Sequence, residues 1–70
     1  MKTLKFSTNI ETEIARDELY SVFKSDHRIE FFSINLGHPQ KLLTVVGEVE
    51  SAEIIIKINS IGFDAIEIHK

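Results

Sequence analysis

The sequence predicts an α+β sandwich in which two helices cover one face of a four-stranded antiparallel sheet. Three observations predict it. Four segments patterned as strands and two patterned as helices follow one another in the order strand, helix, strand, strand, helix, strand. Between the second and third strands stands only Gly37-His38-Pro39-Gln40, too short for the crossover of about a dozen residues that a parallel pair requires. The 70 residues contain no linker, repeat or low-complexity tract, so a single domain accounts for residues 1–70. Two right-handed βαβ crossovers joined by a hairpin give the ferredoxin-like βαββαβ sandwich, with the second and fourth strands at the sheet edges.

The first strand is read from Leu4, Phe6, Thr8 and Ile10, which alternate with Lys5 and Ser7. Between Glu13 and Lys24, Ala15, Leu19, Val22 and Phe23 recur at three- and four-residue spacings, with Arg16, Asp17, Glu18 and Lys24 on the other face of an amphipathic helix. Thr12 is its expected N-cap, and Glu11 and Glu13 sit where the helix dipole favours carboxylates. Ser25-Asp26-His27 breaks the helix. From Arg28, the β-branched and aromatic run through Ile29, Phe31, Phe32, Ile34 and Leu36 predicts the second strand. Phe31 has the parity opposite to Phe32 and Ile34, so one of the two aromatics faces the open side of the sheet.

The third strand is expected over Lys41–Val46, ended by Gly47. Ser51 is the expected N-cap of a second helix whose stripe is Ile54, Ile55, Ile58 and Ile61, and Gly62 is placed for a left-handed C-cap. Ile56 falls about 160° from Ile58 on this helix, away from the stripe. Phe63–His69 is the last strand, in which Ile66 and Ile68 alternate with Glu67 and His69, leaving Phe63 and Ala65 to pack near its start.

A hydrophobic fraction of 43% with 27% charged residues is that of a folding chain. With no cysteine there is no disulfide, thiolate ligand or thiol nucleophile, and apolar packing must close the core. A net charge of −3 with eight scattered basic residues argues against nucleic-acid and anionic-membrane partners. No run approaches the roughly 18 apolar residues of a membrane span, and the start Met-Lys-Thr-Leu-Lys-Phe-Ser lacks the apolar stretch of a signal peptide. The expected location is cytoplasmic.

Taken together, several segments resemble the heavy-metal-associated domains of copper chaperones and copper-transporting ATPases. Leu4–Ile10 is similar to the first strand of that family, and Leu19, Val22 and Phe23 to its first helix. Ile29, Phe32 and Ile34–Leu36 resemble the second strand, with Asn35 in its polar place, and Leu43-Thr44-Val45 the third. Ser51-Ala52-Glu53 through Ile61-Gly62-Phe63-Asp64-Ala65 resembles the second helix and its closing Gly-Phe-x-Ala. The resemblance implies the βαββαβ fold and, in the family, a Cu(I) site made by two thiolates of C-x-x-C. Here that spacing falls on Thr12 and Ala15, a hard hydroxyl and a methyl, where Cu(I) requires soft ligands. The chain reads as a copper-chaperone-like domain that has lost its Cys site, with no cofactor expected.

Two other chemistries remain to be placed. The fold brings the end of the first strand, the end of the second and the start of the fourth to one edge of the sheet. Glu11, Glu13, His38 and Asp64 are therefore candidate ligands for Zn(II) or a similar ion. No G-x-S-x-G, H-E-x-x-H or phosphate loop is present, and Glu11 and Glu13 read as solvated capping carboxylates, so no enzyme activity is expected. The expected function is a protein-interaction or small-ligand-binding module, with Phe31 and Ile56 as exposed contact residues. A protein partner or self-association is expected at an edge strand. The alternative is a metal-binding or trafficking protein using His and carboxylates.

Overall fold

A computed structural model describes residues 2–68 of the chain. In order, the elements are β1 (Lys2–Thr8), α1 (Glu13–Lys24), β2 (Ile29–Asn35), β3 (Leu42–Gly47), α2 (Ser51–Ser60) and β4 (Ala65–Glu67). The sheet order is β2-β3-β1-β4, every neighbouring pair is antiparallel, and β2 and β4 are the edges. This is the ferredoxin-like sandwich the pattern predicts.

Pairing sorts the side chains between two faces. Leu4 lies opposite Val45 and Phe6 opposite Leu43, while Phe32 and Ile34 continue the same rows on β2. These rows meet Ala15, Leu19 and Phe23 of α1 and Ile54 and Ile58 of α2, with Ile10 and Val49 entering from the links. Phe32 packs edge-on to Phe23 and Tyr20 at centroid distances of 5.4 and 4.8 Å. Complete burial of one such side chain contributes roughly 1.5–3 kcal/mol, so the seams of α1 and α2 and their sheet rows dominate the apolar stabilisation.

The aromatic pair divides as the parity requires: Phe32 turns to the helices and Phe31, opposite Val46, to the open face. A bulge makes this possible. Ile29 pairs with Gly47 and Phe31 with Val46, leaving Glu30 as the extra residue, so Ile29 reaches the core although it has the parity of Phe31. Gly47 permits the close approach. A Cβ there would collide with the Arg28 carbonyl oxygen, which accepts the Glu48 N–H at 2.9 Å.

At the end of α2 the expected C-cap forms. Gly62, at φ 89°, donates to Asn59 O at 3.0 Å, and Phe63 donates to Ile58 O at 3.2 Å, the paired bonds of a Schellman turn. Ile10 and Leu36, read as strand residues, lie just past β1 and β2, and three further expectations need correction. Lys41 is not in the third strand; it stands before β3 at φ 48°, a left-handed residue that reverses the hairpin, and its Nζ donates to Leu36 O at 3.0 Å. The N-cap of α2 is Glu50 and Ser51 is already helical, because Glu53 Oε1 turns back to accept the Glu50 N–H at 3.2 Å. The last strand is only Ala65–Glu67, since Phe63 belongs to the Schellman turn, and His69 lies outside the described residues. Ile66 faces Ser7 on the open side and is exposed, whereas Ala65 and Glu67 take the helix side. Among the described residues no helix is long and apolar enough to cross a membrane.

Candidate functional site

Three links gather at one end of the sheet. Thr8 N–H donates to Gln40 O at 3.0 Å and Thr8 Oγ1 to Lys41 O at 2.7 Å, which ties the β2–β3 turn to the end of β1. Asp64 N–H donates to Asn9 Oδ1 at 2.9 Å, which ties the α2–β4 link to the same place. Within this frame Thr12 caps α1: its backbone is extended, and its Oγ1 accepts the Ala15 N–H at 3.1 Å. Ala15 itself is 7% exposed and part of the core. One of the two loop positions is thus a hydroxyl already bonded to the helix, and the other is a buried methyl.

The remaining residues of this end are placed separately. Glu11 and Glu13 are exposed, with Glu13 Oε1 3.8 Å from Arg16 Nη2. His38 is held in its own turn, where its Nδ1 accepts the Gln40 N–H at 3.1 Å and its carbonyl accepts the Lys41 N–H at 2.9 Å. Asp64 is exposed, and its main chain bonds to Asn9. Among the described residues no group of three or more His, Asp or Glu side chains is positioned to hold a metal ion. The links that carry Glu11, Glu13, His38 and Asp64 converge through main-chain and side-chain-to-main-chain bonds. His27 lies past α1, at the other end, as its position between α1 and β2 requires.

That other end carries a charge network which sequence patterning did not single out. Asp26 follows α1 and is enclosed, with its side chain only 9% exposed. Its Oδ1 accepts the Arg28 N–H at 2.9 Å and the Arg28 Nε–H at 3.1 Å; its Oδ2 accepts from Arg28 Nη2 at 2.9 Å and lies 3.3 Å from Lys57 Nζ. Arg28 Nη1 reaches Glu53 Oε2 at 2.6 Å. The Arg28 side chain, then its main-chain N–H, then Lys57 hold the Asp26 carboxyl well below the usual carboxylate range. Arg28 is pushed up by its bonds to Asp26 and Glu53, and Glu53 is lowered by Arg28 and by the Glu50 N–H. The available signal was the Asp26-x-Arg28 turn together with Glu53 and Lys57 one helical turn apart.

The large apolar side chains left exposed are Ile14, Phe31, Ile56 and Ile66. Phe31 and Ile66 share the open face of the sheet, on its two edge strands. Ile56 is on α2, in the opposite layer, so Phe31 and Ile56 do not form one surface.

The assembled fold is close to that of copper-binding domains of known structure. The yeast copper transporter domain CCC2A, known in apo and Cu(I)-loaded states, matches with a TM-score of 0.84 at 12% identity, over 99% of this chain and 97% of that one. A copper-binding domain from the P-type ATPase HMA7 matches with 0.84 at 18% identity, over 99% and 96%. The first domain of the human copper chaperone for SOD1, in its Cu(I)-loaded form, matches with 0.81 at 15% identity, over 93% and 89%. This chain has the fold of heavy-metal-associated domains. No protein-family model and no curated protein matches its sequence. The likeness is one of backbone path, carried by a chain without cysteine.

Proposed function

We propose that the chain is a non-catalytic, heavy-metal-associated-like domain that acts through protein contact rather than through a metal. One observation carries the reading: at the two loop positions, Thr12 Oγ1 is engaged by the Ala15 N–H and the Ala15 methyl is packed in the core. Neither offers the soft donor that Cu(I) requires, and the helix start is completed by its own side chain. The contact surface is the open sheet face and the β2 edge around Phe31, which is 56% exposed on a strand with one unpaired side. Covering such a ring against a partner is favourable by the same term that builds the core.

Two measurements test it. Calorimetric titration of Cu(I), Cu(II) and Zn(II) into the pure protein is expected to give no binding of micromolar or tighter affinity. Micromolar binding abolished by His38→Ala overturns the reading. A photoreactive phenylalanine analogue replacing Phe31 in cells that make the protein is expected to yield discrete protein adducts; failure to form any overturns the contact surface.

A further inference from the structure

The two edges of the sheet are built differently. β4 is three residues long and includes Glu67, a short and charged edge of the kind that discourages strand addition. β2 has seven residues, and from Phe31 to Asn35 it carries neither charge nor proline. Its sole acid, Glu30, is set aside in the bulge. Beyond the bulge, the uncharged stretch from Phe31 to Asn35, with an exposed ring on it, is open to another strand.

Resting on the contact reading above, we propose that the occupant of this edge is β2 of a second copy, paired antiparallel about a twofold axis through Ser33. The register follows from the side chains. With Ser33 opposite itself, Phe32 meets Ile34 of the second copy on the helix side, and Ile34 meets its Phe32. Phe31 meets Asn35 on the open face, beside Val46 and Leu42. Glu30 lies in the bulge, outside the paired stretch from Phe31 to Asn35, so no carboxylate enters the pairing. A shift of two residues, centring the axis on Phe31, would bring the Glu30 bulge of each copy into the paired stretch, against Phe32 of the other. One twofold contact closes on itself, since the short β4 edge offers no matching strand for growth into a fibre.

Sedimentation equilibrium of the full chain between about 10 μM and 1 mM is expected to show a monomer–dimer equilibrium, and a monomer throughout overturns the proposal. Ser33→Lys places like charges on the axis and is expected to weaken the dimer at least about tenfold while circular dichroism stays unchanged. An unaltered dimer in that variant overturns it. Ser33→Cys supplies the chain's single thiol. Antiparallel partners stand about 4.5–5.5 Å apart at Cα, within disulfide reach. Mild oxidation is expected to give a covalent dimer, whereas Ser21→Cys on the exposed side of α1 gives none; no selective crosslink from position 33 overturns the register. A monomeric chain that still forms adducts with other proteins from position 31 refutes self-pairing and leaves the contact reading standing.

Discussion

At the end of the sheet where α1 passes into β2, four charged side chains close on one another across the link and α2. The end where β1 passes into α1 is held by two hydroxyls, an amide and main-chain groups. In the first case Asp26, Arg28, Glu53 and Lys57 join residues far apart in sequence, and the strength of the tie depends on their ionisation. In the second, Thr12, Asn9 and Thr8 satisfy N–H and C=O groups of the helix start and of the two other links, and the tie is insensitive to charge. The difference teaches that the helix start can stand without ligands because each of its links is completed by its own polar atoms. The opposite end needs its charges to hold a bulge and a helix start against each other.

The largest change expected is a gain at the loop end. Thr12→Cys with Ala15→Cys places two thiolates at the heavy-metal-associated spacing and is expected to take Cu(I) binding from undetectable to tight, as read by competition with a Cu(I) chelator. A folded double variant that gains no affinity breaks the correspondence between this loop and the family's.

At the charged end, Gly47→Ala drives a methyl into the Arg28 carbonyl and must displace the bulge. A loss of about 3 kcal/mol in urea unfolding is expected, against a much smaller loss for the same change at exposed Gly37.

Acid should distinguish the ends next. Asp26 and Glu53 are held below their ordinary values when folded, so the stability they contribute is present above about pH 4 and is lost as pH falls toward their folded values. Asp26→Asn is expected to lower the melting temperature most at pH 7, with the gap to the parent narrowing as pH falls below about 4. A gap independent of pH would remove the network from the account.

The smallest effect belongs to the cap. Thr12→Ala is expected to cost about 1 kcal/mol at any pH between 4 and 8, and Thr12→Asp to recover most of it. A pH-dependent loss from Thr12→Ala would erase the contrast between the ends.

Much of this was legible because local rules and the tertiary fold agree. The periods of α1 and α2, the Thr12 cap, the Gly62 turn and the short hairpin link each follow from a few neighbouring residues, and together they admit one topology. His38, Glu11, Glu13 and Asp64 were placed on converging links, but convergence of links fixes main chains to within several ångströms and leaves side chains to their local bonds, as His38 and Gln40 illustrate. Lys41 was assigned to a strand because nothing in its side chain announces a positive φ. The N-cap of α2 moved by one residue because Glu53 reaches back to Glu50, a reciprocal choice that a single good capping residue conceals.

The sequence by itself determined the order of elements, the antiparallel hairpin, the apolar seams of both helices and the absence of a thiolate site, because periodicity, turn chemistry and residue type act over a few residues. Only the tertiary structure decided where β2 bulges, where β4 ends and which charges meet. Those outcomes depend on pairing register and on contacts between residues far apart in the chain: one extra residue at Glu30 sends Ile29 inward, and the Arg28 carbonyl leaves room for Gly47 alone.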